Sequence, residues 1–343
     1  MKESLFRSAI RSFCITFATV FGALLCLILF LMGCALFSPA IPQTTELTYL
    51  PDASGKRELL SSSSSVILQI NIDGVIGVDG LTGDKIKNLL VDSQEGLLSN
   101  HRVKGILLYI NSPGGAANDS DIIYRALVRY KEQFNIPIYA YVDGLCASGA
   151  MYIASAADKI YSSNVSIIGS VGVIMGPMFN YVNGLDKIGV QALTLTSGKD
   201  KDELNPFRPW KPDEGASIQK LNSALYENFV SIVAQARPKL TKEKLINEYG
   251  ANVFFAQQAE QYGYVDIADA AYEQALTDLV QKAGIADTKA YQVVLLKSNH
   301  PFLSQLMAKS PILSGEIKHK LDLGSVHREE LSGKPLYLYQ PNG

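Results

Sequence analysis

The sequence predicts an α/β protein built on a mainly parallel sheet, preceded by one apolar helix. Three observations carry this. Val66–Ile72, Gly105–Ile110 and Ile138–Val142 are short apolar runs with the length of buried strands. Between them lie stretches with helical spacing, and strands alternating with helices imply βαβ units. Finally, Phe13–Phe37 holds no charged residue, which exceeds the ~20 residues a bilayer-crossing helix needs.

The apolar run comes first in the chain. Lys2, Arg7 and Arg11 precede it against Glu3 alone, which keeps the N-terminus cytoplasmic and sends the rest outside. A cleaved signal peptide has an apolar core of about 7–15 residues, so this longer run is expected to remain as an anchor in the inner membrane. Leu31-Met32-Gly33-Cys34 loosely resembles a lipoprotein cleavage site. The methionine and the long core argue against one, and Cys34 reads as an anchor residue. Cys14 and Cys26 also lie in this run, leaving Cys146 alone outside it. That pattern offers no intrachain disulfide and no metal-ligand spacing. With 31 basic against 33 acidic residues, nothing marks a nucleic-acid surface. No cofactor or metal is expected.

Ser38–Ser65 carries Pro39, Pro42, Pro51 and the serine run Ser61–Ser65, a composition expected of a flexible stalk. Val66–Ile72 is the first strand, turning through Asp73 and Gly74. Gly83–Leu98 has helical spacing in Ile86, Leu89, Leu90 and Leu97. Asp119–Phe134 is an amphipathic helix with Ile122, Ile123, Leu127 and Tyr130 inward, ending before Pro137. Further strands are expected at Lys159–Tyr161, Ile167–Val173 and Val190–Leu195, then a polar loop over Thr196–Asn205. Pro212–Ala236, Leu240–Tyr249 and Ala271–Ala283 read as helices, and Val253–Val265 contains another that ends at Gly263. After Gly284 the pattern weakens. Tyr291–Leu296 is a strand, Phe302–Met307 a short helix and Lys334–Tyr339 a closing strand. The boundaries are thus 1–37 for the anchor, 38–65 for the stalk, 66–284 for the main domain and 285–343 for an extension that is a tail or an oligomer contact.

Chemistry concentrates in two motifs. In Gly144-Leu-Cys-Ala-Ser-Gly-Ala-Met-Tyr-Ile-Ala-Ser-Ala-Ala-Asp158, Ser148 stands at the start of an Ala-rich helix, where free backbone N–H groups favour negative charge. Ala147, Gly149 and Ala150 leave its hydroxyl uncrowded. The Gly105 strand ends in Ser112-Pro113-Gly114-Gly115, and two glycines let backbone N–H groups turn into a shared concavity able to hold an oxyanion. Taken alone, the first motif is close helix packing and the second a turn. Cys146, two residues from Ser148, is a rival nucleophile that more simply packs inward.

A strand, Ser-Pro-Gly-Gly, a helix, a strand and Ala-Ser-Gly in this order resembles the Clp protease and crotonase superfamily. With Lys201 downstream the chain is similar to the signal peptide peptidase A (protease IV) family of membrane-bound serine proteases. The resemblance implies a repeating ββα superhelix and, absent any internal duplication, the short form with one protease unit per chain. It implies Ser148 as nucleophile, with an oxyanion hole from Gly115 and Gly149 and with Gly114 allowing the turn. None of His101, His300, His319 and His327 stands in a context suited to a base. The segment Thr196–Arg208 resembles the family's Gly-x-x-Lys stretch, and counting from Gly198 makes Lys201 the base and Lys199 a variable position. By itself that segment is a solvated charge cluster. A lysine base must be neutral near pH 7, far below its ordinary value near 10.4, which needs an apolar site or a nearby positive charge. Asp200 and Asp202 should therefore point away. Ser170 is the hydroxyl expected to orient the amine.

The resemblance also implies a ring of identical chains in which a neighbour delivers the lysine. Its substrates are apolar peptides such as signal-peptide remnants, which suit Ile174, Met175 and Met178. Ala150 departs from the family's more frequent glycine. Two other readings stay open: a crotonase-like acyl-CoA enzyme, and an inactive scaffold with the protease fold.

Overall fold

A computed structural model describes residues 5–37, 45–61, 63–78, 80–286, 291–298 and 335–339. Two compact units result, one formed by the N-terminal helix and the other by the folded domain. Helix α1 (Leu5–Phe37) has an 18-residue stretch, Ile10–Leu27, of mean hydropathy 1.9 with none of it buried. Phe13, Phe17, Phe21 and Leu24 are all exposed, an apolar surface far larger than isolated side chains on a soluble protein present.

The domain begins with β1 (Thr45–Leu50) and β2 (Ser65–Asp73), then α2 (Gly83–Asp92), β3 (Val103–Ser112), β4 (Gly114–Ala116) and α3 (Ala117–Phe134). After β5 (Ile138–Ala147) come α4 (Gly149–Ala154), β6 (Lys159–Ser162), β7 (Ile167–Gly169), α5 (Val182–Lys187) and α6 (Ala216–Ala236). The chain closes with α7 (Lys242–Lys244), β8 (Val253–Phe255), α8 (Ala256–Tyr262), α9 (Tyr272–Lys282), β9 (Tyr291–Ser298) and β10 (Leu336–Leu338). The main sheet runs β1-β9-β2-β3-β5-β7-β8, with β6 also on β5. Its centre, β9-β2-β3-β5-β7, is parallel, while β1 and β8 join antiparallel at the edges.

Both faces of this sheet are covered, which is why its strands read as unbroken apolar runs. Leu68, Ile70, Ile106, Leu108 and Val142 face one core with Ile86, Ile123, Leu127, Tyr152 and Phe229. Alternate residues Ile67, Leu107, Tyr139 and Tyr161 face the other, under Leu276 and Leu279 of α9. Helix α3 ends at Asn135, whose left-handed conformation (φ 50) precedes Pro137 and stops the helix. At the C-terminal end of β3 the pairing with β5 slips between Ile110 and Ser112. An irregularity there frees the backbone from the ladder where β4 and the β5–α4 turn meet.

The structure corrects several expectations. Within the stretch expected to be stalk, Thr45–Leu50 pairs with β9 over its full length. Glu46-Leu47-Thr48-Tyr49 alternates polar and apolar residues as an edge strand does, a pattern hidden by the surrounding prolines and serines. Val190–Leu195 is not a strand: Leu193 and Leu195 are more than four-fifths exposed, and no strand among the described residues pairs with them. The helix expected over Gly83–Leu98 stops at Asp92 and resumes as a short turn at Gly96–Leu98. The strand begun at Ile167 ends at Gly169, and α5 was not expected at all. Phe302–Met307 lies outside the described residues.

Candidate active site

Strand β5 runs into Ser148, whose backbone turns sharply (φ 56, ψ −118) before α4 begins. A non-glycine residue there carries strain of about 1–3 kcal/mol. Hydrogen bonds hold the turn from both sides: the Ser148 amide donates to the Gly169 carbonyl at 2.9 Å, and the Tyr152 amide to the Ser148 carbonyl at 3.0 Å. Every residue of α4 is buried, so packing rather than helix propensity fixes the elbow. Ser148 is 1% exposed, and its Oγ makes no hydrogen bond among the described residues.

Three glycines let backbone segments crowd against this elbow. A Cβ on Gly114 would lie 2.7 Å from the Gly149 amide nitrogen, 3.0 Å from the Ala147 oxygen and 2.0 Å from the Tyr337 oxygen. On Gly115 it would meet the Ile76 oxygen at 2.0 Å, and on Gly149 the Ser120 Oγ at 2.5 Å. Gly114 also has φ 91, which side chains rarely adopt. The loop is pinned by Gly114 N–H donating to Ser112 Oγ (3.1 Å) and Ser112 Oγ–H donating to the Gly74 carbonyl (2.6 Å). Ser148, Gly114, Gly115 and Gly149 are thus brought together.

Strand β10 lies in the same place. It pairs antiparallel with β4, with Tyr337 opposite Gly115. Ala117 N–H donates to the Pro335 carbonyl (3.1 Å) and Tyr339 N–H to the Pro113 carbonyl (2.7 Å). Hydrogen-bonded pairs recur every second residue in such a ladder, so the Gly115 amide faces the Tyr337 carbonyl. On its other side, Leu336 and Ile174 exchange two hydrogen bonds of 3.0 Å. The Tyr337 ring is 1% exposed, with its centroid 4.7 Å from Phe229 and 5.2 Å from Tyr152. Tyr152 in turn donates to Asp121 Oδ1 (2.7 Å) and accepts from Asn228 (2.9 Å). Burial raises the Tyr337 phenol to about 12 and raises that of Tyr152 further, with Asp121 adding to both.

Lys201 is not joined to Ser148 within the chain. It is exposed, and no hydrogen bond or ion pair from its ammonium occurs among the described residues. Its loop is clamped next door: Arg208 donates to Asp202 Oδ2 (2.7 Å), to the Asp202 carbonyl (2.9 Å) and to Glu214 (2.7 Å). Asp202 is therefore turned to Arg208. Ser170 follows β7, is 5% exposed, and donates its amide to the Asn252 carbonyl (2.7 Å). It lines a cavity of about 570 Å³ with Ile174, Asn222, Tyr226 and Leu338. Cys146 is fully buried, and burial pushes its thiol up, out of thiolate range. His101 is exposed at the turn before β3, beside Phe134 (5.9 Å between rings); His300, His319 and His327 lie outside the described residues. Sequence reasoning missed the aromatic group Tyr152, Phe229 and Tyr337, whose only trace was the alternating Leu-Tyr-Leu-Tyr after Pro335.

Comparison with known proteins adds the family. The model of peptidase family S49 matches residues 131–286, from late α3 past α9 and including Ser148, Ser170 and Lys201. A Clp protease family model matches residues 60–196, which contain the glycine loop and the elbow. A protein of Enterococcus faecium assigned as a signal peptide peptidase SppA is 30% identical over 66% of this chain and 66% of its own length. The chain belongs to peptidase family S49. A protein of Methanocaldococcus jannaschii assigned as a protease is 34% identical to this S49 chain over 58% of it and 61% of the relative. The chloroplastic serine protease SPPA of Arabidopsis thaliana is 28% identical over 64% of this chain and 32% of its own. The chain therefore spans less than two thirds of these relatives. Among solved structures, a point mutant of ClpP1 from Listeria monocytogenes is similar at TM-score 0.37 and 17% identity, over 61% of this chain and 94% of that one. The Clp-like assignment of this S49 chain rests on the family model and the sheet topology.

Proposed function

We propose that this S49 chain is a membrane-anchored serine endopeptidase that cleaves apolar peptides such as signal-peptide remnants. The observation that carries the reading is the strained elbow at Ser148 facing the Gly114–Gly115 backbone. Ser148 Oγ attacks the peptide carbonyl, and the amides of Gly115 and Gly149 take the charge that develops on its oxygen. Such donors typically contribute about 10²–10³ in rate each. Lys201, unprotonated in a closed site, removes the hydroxyl proton, gives it to the leaving amine, and then activates water for deacylation.

Within one chain Lys201 faces solvent, so the reading requires a second copy to supply the amine. Two observations support this. Phe179, Ile188, Val190, Leu193 and Leu195 form an exposed apolar stretch ahead of Lys201, the surface expected of an interface between copies. The cavity beside Ser170 is wide enough for a lysine side chain. A contact in which one copy's loop enters the next copy's site is heterologous, and repeated with a rotation that closes it makes a ring. Helix α1 supports anchoring, with the folded domain that begins at β1 as the catalytic domain outside the inner membrane.

Full-length protein in detergent, assayed on apolar peptide substrates, tests the proposal. Ser148→Ala and Lys201→Ala should each lose activity while keeping the fold. Co-expressing the two variants should restore about a quarter of wild-type activity if each site draws on two neighbouring chains. Undiminished hydrolysis by Ser148→Ala removes the proposal, and co-expressed variants as inactive as either alone remove the shared site.

A further inference from the structure

We infer that Asn222 positions the base. Its side-chain oxygen and the Ser170 hydroxyl take the two N–H bonds of an unprotonated Lys201 from a neighbouring copy, which turns the nitrogen lone pair to Ser148. The inference deepens the peptidase reading and rests on its shared site. It starts from an anomaly in α6. Asn222, Tyr226, Phe229 and Val233 follow one another at steps of four, three and four residues, a single face of the helix. Phe229 and Val233 are buried and Tyr226 packs against the same core, so an amide stands at the head of an apolar stripe. Its Oδ1 is sealed from solvent and has no hydrogen-bond partner among the described residues. Buried acceptors nearly always have a donor.

Asn222 borders the cavity that Ser170 also lines. Ser170 has φ 55 and is fixed through its amide on Asn252, while its Oγ makes no hydrogen bond among the described residues. The next hydroxyl along the wall, Ser223, is spent on the Gln219 carbonyl (2.9 Å). Two acceptors therefore stand free, and the torsion that turns the Asn222 amide is soft enough to bring its oxygen to the cavity. No charged side chain lines this cavity among the described residues, and its titratable groups are the phenols of Tyr226 on α6 and Tyr339 after β10. Burial raises that of Tyr226. On the other side of Asn222 a second cavity is bordered by Asp213 and Glu214, and Glu214 is engaged by Arg208.

A neutral primary amine has two N–H donors and one lone pair. With the donors on Asn222 and Ser170, the lone pair is left for the Ser148 proton. That proton moves to nitrogen as the bond from Oγ to the peptide carbonyl forms. The resulting ammonium keeps two N–H bonds in place and gives the third to the leaving nitrogen as the C–N bond breaks. An amide supplies the acceptor without the negative charge that would hold the amine protonated.

The test measures hydrolysis of apolar peptides by the full-length protein in detergent across about pH 5 to 10. Asn222→Asp places a carboxylate beside the amine, so the acid limb of kcat/KM should move up by about one to three pH units, with activity recovered above it. Asn222→Ala should lower kcat about tenfold with KM unchanged, and Asn222→Gln, which keeps the amide, should recover part of that loss. An unmoved acid limb in Asn222→Asp overturns the inference. So does a raised KM with kcat intact in Asn222→Ala, which would make Asn222 a contact of the peptide. If circular dichroism shows the aspartate variant unfolded, the alanine and glutamine variants decide: turnover by Asn222→Ala as fast as wild type overturns it. Hydrolysis kept in Lys201→Ala sinks the reading of the base and the inference with it. Hydrolysis lost in Lys201→Ala, with the acid limb unmoved in Asn222→Asp, removes Asn222 alone.

Discussion

The Tyr337 carbonyl oxygen and Gly114 stand so close that a methyl group on Gly114 would fall 2.0 Å from that oxygen. The strand bearing Tyr337 and the loop bearing Gly114 thus share one narrow space with the Ser148 elbow. The absence of a side chain at 114 holds that space open.

Gly114→Ala should therefore be severe. The new Cβ meets three backbone atoms, none of which can swing aside, at a positive φ. Activity on apolar peptides should fall by at least about a hundredfold through the displaced Gly115 amide. Stability, measured by urea unfolding, should fall by about 2 kcal/mol or more.

Arg208→Ala should lower activity about tenfold or more without changing the unfolding of the core. Arg208 ties Asp202, the residue after Lys201, to Glu214 just before α6, so its loss releases the lysine's attachment. A far-ultraviolet melt checks the core, and kcat against KM separates a misplaced base from weakened binding. Unchanged kcat would remove Arg208 as a positioning residue.

The same clamp predicts a pH response. Arg208, with the amides of Lys211 and Leu204, holds the Glu214 carboxyl down at about 2 against an ordinary 4.5. A carboxyl lowered by folding contributes its full share above the ordinary value and loses it as pH falls toward the folded one. The clamp should therefore be intact at pH 5 and open between about 4.5 and 2. Trp210 is the chain's single tryptophan and donates to the Asn205 carbonyl within this loop (2.9 Å). Its fluorescence should follow the opening, and Glu214→Gln should abolish that step. Identical profiles for the two chains would contradict the assignment.

Tyr152→Phe should cost about 1 kcal/mol, because the Tyr152 hydroxyl loses its bonds to half-buried Asp121 and exposed Asn228. Chemical denaturation measures it directly, and a loss under about 0.5 kcal/mol would mean that the two groups find other partners.

Cys146 should resist alkylation in the native chain at pH 8, since it is fully buried and its thiol is pushed up. Cys146→Ala should keep peptide hydrolysis. Mass spectrometry after iodoacetamide reads the first result, and rapid labelling at position 146 would contradict it.

Much of the fold could be read directly because the central strands are buried on both faces. Ile67 and Leu68 face opposite cores, so β2 stands out as an unbroken apolar run. Ser148 and the paired glycines were legible because their chemistry constrains three or four adjacent positions. Strand β1 was not, since its partner β9 lies more than 240 residues away in the chain and local composition argued for a linker. Val190–Leu195 shows the opposite error: its β-branched character promised a strand, but no edge among the described residues receives it. The role of Tyr337 depends on a long-range pairing with Gly115 that no local pattern encodes.

The conformation at position 148 has one more consequence. Only glycine occupies φ 56, ψ −118 without penalty, so the fold tolerates serine there at its own expense. Replacing Ser148 with glycine should yield a chain that is inert yet melts at a higher temperature than the working one. Robustness and reactivity would then pull in opposite directions at a single residue.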